Sequence, residues 1–126
     1  MLYLSTIDNR RSFKVYDQNW HFLMGLLAHD MEDNCTSNLS RDNNLLNAYQ
    51  CCDVSNKILK ALNNNVIYEV WDGVKVEPLV NPTTEVLNNL GSTVQPLTEK
   101  RKNFLESFTK FVRSNKELHL KFKIDA

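Results

Sequence analysis

Only a few side chains in this sequence could carry acid–base, nucleophilic or metal chemistry: His21, His29 and His119, Cys35, Cys51 and Cys52, and fifteen carboxylates. Cys51 and Cys52 are neighbours, and adjacent residues on a helix stand about 100° apart, so the two thiols point to different faces and do not chelate one ion. Cys52 falls on the apolar stripe of its helix and reads as a small core residue. A nucleophilic thiol needs a basic or cationic neighbour to lower its pKa, and no spacing brings a histidine to Cys51. Glycine offers no phosphate cradle. Gly25 sits inside a helical run, Gly73 in a turn and Gly91 at a helix end, none within a G-x-G-x-x-G or P-loop pattern. Gly25, in an apolar helix, is expected to admit close packing of a neighbouring element.

The run Leu26-Leu27-Ala28-His29-Asp30-Met31-Glu32-Asp33 ends an apolar helix in a histidine–aspartate pair. It resembles the metal-binding doublet of the HD-domain phosphohydrolases. The resemblance implies a metal held by the doublet together with an earlier histidine and a later aspartate. The earlier histidine here is His21, about 12 Å away along the same helix axis, too far to share one ion. The same residues also read as a helix end, with His29 at the negative pole of the dipole and the acids facing water. No metal and no cofactor are expected, and the chain reads as non-enzymatic.

Charge is more informative than catalytic motif. Lys+Arg and Asp+Glu cancel at 15 each, yet they are segregated along the sequence. Residues 1–16 hold Arg10, Arg11 and Lys14 against Asp8, a net +2. Residues 17–97 hold four bases against ten acids, a net −6, and residues 98–126 hold eight bases against four acids, a net +4. An acidic body between basic ends can steer a charged partner.

The elements that must position these groups are legible from periodicity. Leu2, Leu4 and Ile7, then Phe13 and Val15, predict two short strands around a polar turn at residues 8–11. Trp20, Leu23, Met24, Leu27 and Met31 recur at helical spacing, with Asp17 or Asn19 as N-cap. After a polar connection over residues 32–40, a second helix is expected from Asp42 to Leu62. Leu45, Leu46, Tyr49, Cys52, Ile58, Leu59 and Leu62 would line its inner face, and three asparagines would end it. Val66 to Glu77 is a β-hairpin, with Asp72-Gly73 as the central pair of a type I′ turn and Pro78 suited to an edge strand. Asn81-Pro82 predicts the start of a short helix carrying Val86, Leu87 and Leu90 and stopped by Gly91. Thr98 caps a fourth helix with Phe104, Leu105, Phe108, Phe111 and Val112 on its apolar face. Leu118, Leu120, Phe122 and Ile124 alternate with His119, Lys121 and Lys123 as a half-solvated strand whose lysines would guard an edge. Sixteen asparagines, an excess that genome composition accounts for, equally suit a chain with many turns and caps.

The expected fold is therefore α+β, a single domain over residues 1–126, with about four helices on a small, mostly antiparallel sheet. No apolar run approaches the roughly 20 residues of a membrane span. The start lacks a basic n-region and a small-residue cleavage site, and the odd cysteine count includes an adjacent pair. Both features predict a reducing, cytoplasmic setting. By analogy of class, a small protein of this kind is expected to inhibit another protein, as toxin-neutralising immunity proteins and phage anti-defence proteins do. Asp30, Glu32, Asp33, Asp53, Glu69, Trp71 and Asp72 would meet a basic partner such as a nuclease-type toxin. The alternative is a nucleic-acid-binding accessory protein using Lys100, Arg101, Lys102, Lys121 and Lys123. Set against it are a pI near 6.8 and three cations crowded at the positive end of a helix dipole.

Overall fold

The computed structural model describes residues 2–6, 8–30, 45–46, 48–115 and 120–124, with side chains for 3–6, 8–26 and 55–115. The fold is α+β, as the alternation of periods predicts. Strands β1 (Leu2–Thr6) and β2 (Ser12–Val15) form an antiparallel hairpin. Its turn is organised by Asp8, whose Oδ1 accepts from the Thr6 hydroxyl at 2.6 Å and from the Arg10 backbone N–H at 3.0 Å. Those two bonds, the Thr6 hydroxyl foremost, hold the Asp8 carboxyl below the ordinary carboxylate range. Asn9, Asn65 and Asn81 are the non-glycine residues with positive φ among the described residues, all at turns where asparagine tolerates the left-handed region.

Helix α1 (Asp17–Asp30) follows directly. The Tyr16 carbonyl accepts the Trp20 N–H at 2.8 Å, which makes Asp17 the first helical residue rather than the cap. The second helix, α2 (Ala48–Asn63), is shorter than its apolar pattern predicts. Leu45 and Leu46 form strand β3 instead, paired with Lys121 and Leu120, a long-range partnership that local helix propensity cannot anticipate. Asp42, the expected cap, lies outside the described residues. The three asparagines do end α2.

Strands β4 (Ile67–Trp71) and β5 (Val76–Val80) form the expected central hairpin, and Pro78 sits on an edge strand where its missing N–H is tolerated. Helix α3 (Thr84–Leu90) is capped by Thr83, whose hydroxyl accepts the Val86 N–H at 3.2 Å. The start is thus two residues past the Asn81-Pro82 signal, because Asn81 is held in a turn by its N–H bond to the Val66 carbonyl. Gly91 stops α3 with φ 56° and leads through a 3-10 turn (Gly91–Thr93) into β6 (Val94–Pro96), a strand too short to have a period of its own. Helix α4 (Glu99–Ser114) is capped by Thr98, and β7 (Leu120–Ile124) follows.

Terminal strands and central hairpin do not share one sheet, as expected, but two: a four-stranded sheet in the order β2-β1-β7-β3 and a three-stranded one in the order β5-β4-β6. β7 is interior to its sheet where β3 pairs with Leu120 and Lys121, so Lys121 does not guard an edge. Lys121 and Lys123 stand opposite Ser5 and Tyr3 of β1 in register. One apolar core joins the elements. Leu4 and Val15 come from the terminal sheet, Phe22, Leu23 and Leu26 from α1, Ile58 from α2, Ile67 from β4, and Leu105, Phe108 and Val112 from α4. Phe13 closes it, 5.5 Å from the Phe111 ring and 6.1 Å from Phe104. Gly25 admits β5 as expected: a Cβ there would stand 2.9 Å from both Cγ and Cδ of Pro78. No helix among the described residues is long and apolar enough to cross a membrane.

Candidate functional site

The loop of the central hairpin owes its shape to Asp72. Its Oδ1 accepts the N–H groups of Val74 and Lys75, each at 2.9 Å, and these bonds keep the carboxyl below its ordinary pKa. Gly73 alone takes positive φ, at 97°, so the expected type I′ turn is replaced by a loop over Asp72–Lys75 in which Asp72 acts through its side chain. The loop leaves Trp71 52% and Val74 83% exposed. Tyr16 and Val86 are the other exposed large apolar side chains among the described residues, and Trp71 and Val74 are the pair that one loop brings together.

Beneath this loop lies a depression of about 340 Å³ where the first turn of α1, the hairpin and α4 meet, lined among others by Asp17, His21, Trp71, Val76 and Arg101. Its side is pinned by His21, whose Nε2 is 2.8 Å from Glu77 Oε1, with Lys75 Nζ 3.5 Å from the same oxygen. Deeper in, Glu69 is buried at 2% exposure. One carboxylate oxygen accepts Arg101 Nη1 at 3.1 Å and the other accepts the Thr98 backbone N–H at 2.5 Å. Strand alternation explains the position, because Glu69 shares the inward face of β4 with Ile67. The Arg101 guanidinium stacks 4.8 Å from the Phe22 ring, and its buried Nε has no hydrogen-bond partner. This ion pair ties the start of α4 to β4.

The residues expected to meet a partner are separated rather than gathered. Glu69 is corrected outright, since a carboxylate buried against Arg101 offers nothing to a partner. Trp71 and Asp72 lie together at the exposed hairpin end. Asp30 closes α1 at the far end from that loop, about 20 Å along the helix from Asp17. Asp53 lies in the first half of α2, and its side chain, like those of Asp30 and His29, is outside the described set. Glu32 and Asp33 lie outside the described residues altogether. Of the basic set, Arg101 is turned inward to Glu69 while Lys100 remains exposed, so the triplet 100–102 is not one patch. The acidic hairpin and the basic helix, far apart in charge along the sequence, neutralise each other in part where they meet. Among the described residues no group of three or more His, Cys, Asp or Glu side chains comes together to hold a metal.

The sequence reading missed the His21–Glu77 contact and the Arg101 tether. A charged residue at an inward strand position was a usable signal for the second, because burial at that register requires a partner. Comparisons with protein-family models, with curated proteins and with solved structures find no match to this chain.

Proposed function

We propose that this chain is a non-catalytic protein-binding inhibitor that docks a basic partner at its hairpin end. The observation that carries the proposal is the exposure of Trp71 and Val74 at a hairpin end that also carries the carboxylates of Asp72 and Glu77. Asp72 and Glu77 flank Lys75 on the hairpin, and Asp17 lines the depression beside them. Arg101 adds no free charge, being paired with Glu69. An exposed aromatic anchor beside carboxylates is an arrangement that can give a protein interface its affinity and a salt-sensitive association. The shape of the loop is set before binding by Asp72, which lowers the entropic cost of docking. The inhibitory role, in the manner of immunity or anti-defence proteins, rests on class analogy and on the absence of any catalytic motif in the sequence.

Affinity capture from the native cell tests the proposal, using wild type and a Trp71→Ala, Val74→Asp variant as parallel baits. A basic protein retained by the first and lost from the second, and eluted by salt, is the expected result. Equal retention by both baits would place binding elsewhere. A nucleic-acid-binding accessory role is the lesser reading, since Arg101 is drawn into the interior. A gel shift at low salt decides it, because retardation is then expected at its strongest.

A further inference from the structure

The terminal sheet has two faces of opposite character. Register and strand alternation put Leu4, Phe13 and Phe122 in one row on the inner face, where Leu4 is buried in the core and Phe13 packs against it. A neighbouring row, on the outer face, holds Tyr3 on the middle strand β1 with Lys14 opposite it on β2 and Lys123 opposite it on β7. Lys121 falls on the same face, two residues from Lys123. No strand of this sheet contains a carboxylate. Ser12 and Lys14 are exposed, Tyr3 is half-buried, and the small Ser5 is buried. Just past β2, Tyr16 is 58% exposed, more than Trp71, and the Lys14 ammonium stands 5.2 Å from the centre of its ring. The two basic ends of the sequence thus meet side by side. Residues 1–16 supply Tyr3, Lys14 and Tyr16, and residues 98–126 supply Lys121 and Lys123.

Charge and ring chemistry together narrow what this face can hold. The chain has as many acids as bases, yet this face gathers three lysines and no acid from its strands. The positions of Lys14 and Lys123 lie about 10 Å apart across two strand spacings, and those of Lys121 and Lys123 about 7 Å apart along one strand. Like charges so placed repel one another, and among the described residues no carboxylate pairs with Lys14 to relieve it. The complementary partner carries several spaced negative charges. Tyrosines set among the lysines specify it further, because rings offer bases a stacking surface while ammonium groups take the phosphates. Duplex bases are already stacked on one another, and a lipid headgroup or an acidic protein surface brings no row of planar groups to the rings. We infer that the outer face of the terminal sheet binds single-stranded nucleic acid, with Lys14, Lys121 and Lys123 meeting phosphates and Tyr3 and Tyr16 stacking on bases. The surface shares no residue with the hairpin-end docking site. It also uses none of the cations of α4, of which Arg101 is turned inward.

Fluorescence anisotropy of labelled oligothymidylate and oligouridylate, each about 20 nucleotides long, tests this on the full chain at low ionic strength. At least one single strand should bind, the tighter of the two identifying the sugar the face accepts, and a duplex of the same length should bind more weakly. Three phosphate contacts predict a slope of log K against log salt of about −2. Lys14→Gln, at an exposed position, should reduce the magnitude of that slope by about 0.7. Tyr16→Ala should cost about 5-fold or more in affinity and leave the slope unchanged. Should Tyr16→Ala fail to fold by circular dichroism, Tyr16→Leu keeps the apolar bulk and removes the ring. Trp71→Ala should bind as wild type does, which separates this surface from the hairpin-end site. Absence of single-strand binding at low salt overturns the inference, whether or not vesicles containing phosphatidylserine are bound. Binding that Lys14→Gln and the Tyr16 variant leave untouched, but that a Lys100→Gln, Lys102→Gln variant loses, overturns it by locating the contact on α4. Equal binding of duplex and single strand, insensitive to the Tyr16 ring, also overturns it and leaves a general polyanion surface.

Discussion

Glu69→Ala should be among the most damaging single substitutions away from the apolar core. The substitution removes two acceptors at once, leaving the Arg101 guanidinium without its counter-charge and the Thr98 amide without a partner at the start of α4. Arg101 has 15% of its side chain exposed and already carries an unpaired Nε, so water reaches it poorly. Breaking a buried pair in this way costs about 3–5 kcal/mol, a large share of the roughly 5–15 kcal/mol that holds a domain folded. Arg101→Met keeps the packing over Phe22 but strands the carboxylate with one amide donor, for a loss of about 2–4 kcal/mol. Removing both charges, as Glu69→Leu with Arg101→Met, eliminates the stranded ion. It should lie within about 1–2 kcal/mol of wild type, the remainder being the orphaned Thr98 N–H. Urea denaturation of wild type, Glu69→Leu, Arg101→Met and the double variant, followed by tryptophan fluorescence and by circular dichroism, gives the coupling directly, with Glu69→Ala measured alongside. Additive losses, or a Glu69→Ala penalty under about 1 kcal/mol, would refute the view that this pair tethers α4 to β4.

Gly25→Ala gains about 1 kcal/mol of helix propensity but drives a methyl into the Pro78 ring at 2.9 Å, an overpacking cost of about 1–3 kcal/mol. A net loss of up to about 2 kcal/mol is expected, smaller in a Pro78→Ala background, as measured by paired denaturation curves. Asp72 and Asp8 have folded-state pKa values below their unfolded ones, so their stabilisation is complete above the unfolded value and lost as pH falls through the folded one. Acid titration should therefore show destabilisation setting in below about pH 4, and an Asp8→Asn, Asp72→Asn variant should have a flatter profile there while keeping an acceptor in each loop. A profile unchanged in that variant would remove both loops from the acid response.

Strong local periods carried most of the fold into view. The apolar stripes of α1 and α4, the β-rich run of β4 and the glycine ending α3 are each decided by residues within a turn or two of one another. The errors lie where a distant partner outweighs a local preference. Leu45 and Leu46 look helical until β7 offers them a ladder, and β6 exists because β4 has an open edge for three residues to pair with. Asn81-Pro82 resembles a helix start, yet the Asn81 bond to Val66 diverts it into a turn and passes the cap to Thr83. The same logic divides the candidate site. Trp71 and Asp72 are legible because one tight hairpin must bring them to its tip. The inward aim of Glu69 follows from alternation with Ile67, whereas its choice of Arg101 depends on how α4 packs. Acids grouped along the sequence, such as Asp30 and Asp72, need not meet when a helix about 20 Å long separates its two ends.

The most direct test of the docking surface is the binding kinetics of the captured partner, measured at low and high ionic strength against wild type and Trp71→Ala. The aromatic-anchor reading predicts at least a ~30-fold loss of affinity for Trp71→Ala, corresponding to a hot-spot contribution of about 2 kcal/mol or more. It further predicts an association rate that falls as salt rises in both proteins. A Trp71→Ala variant that binds as wild type does, with an association rate indifferent to salt, would contradict a hairpin-end site recognised by an aromatic anchor and an acidic rim.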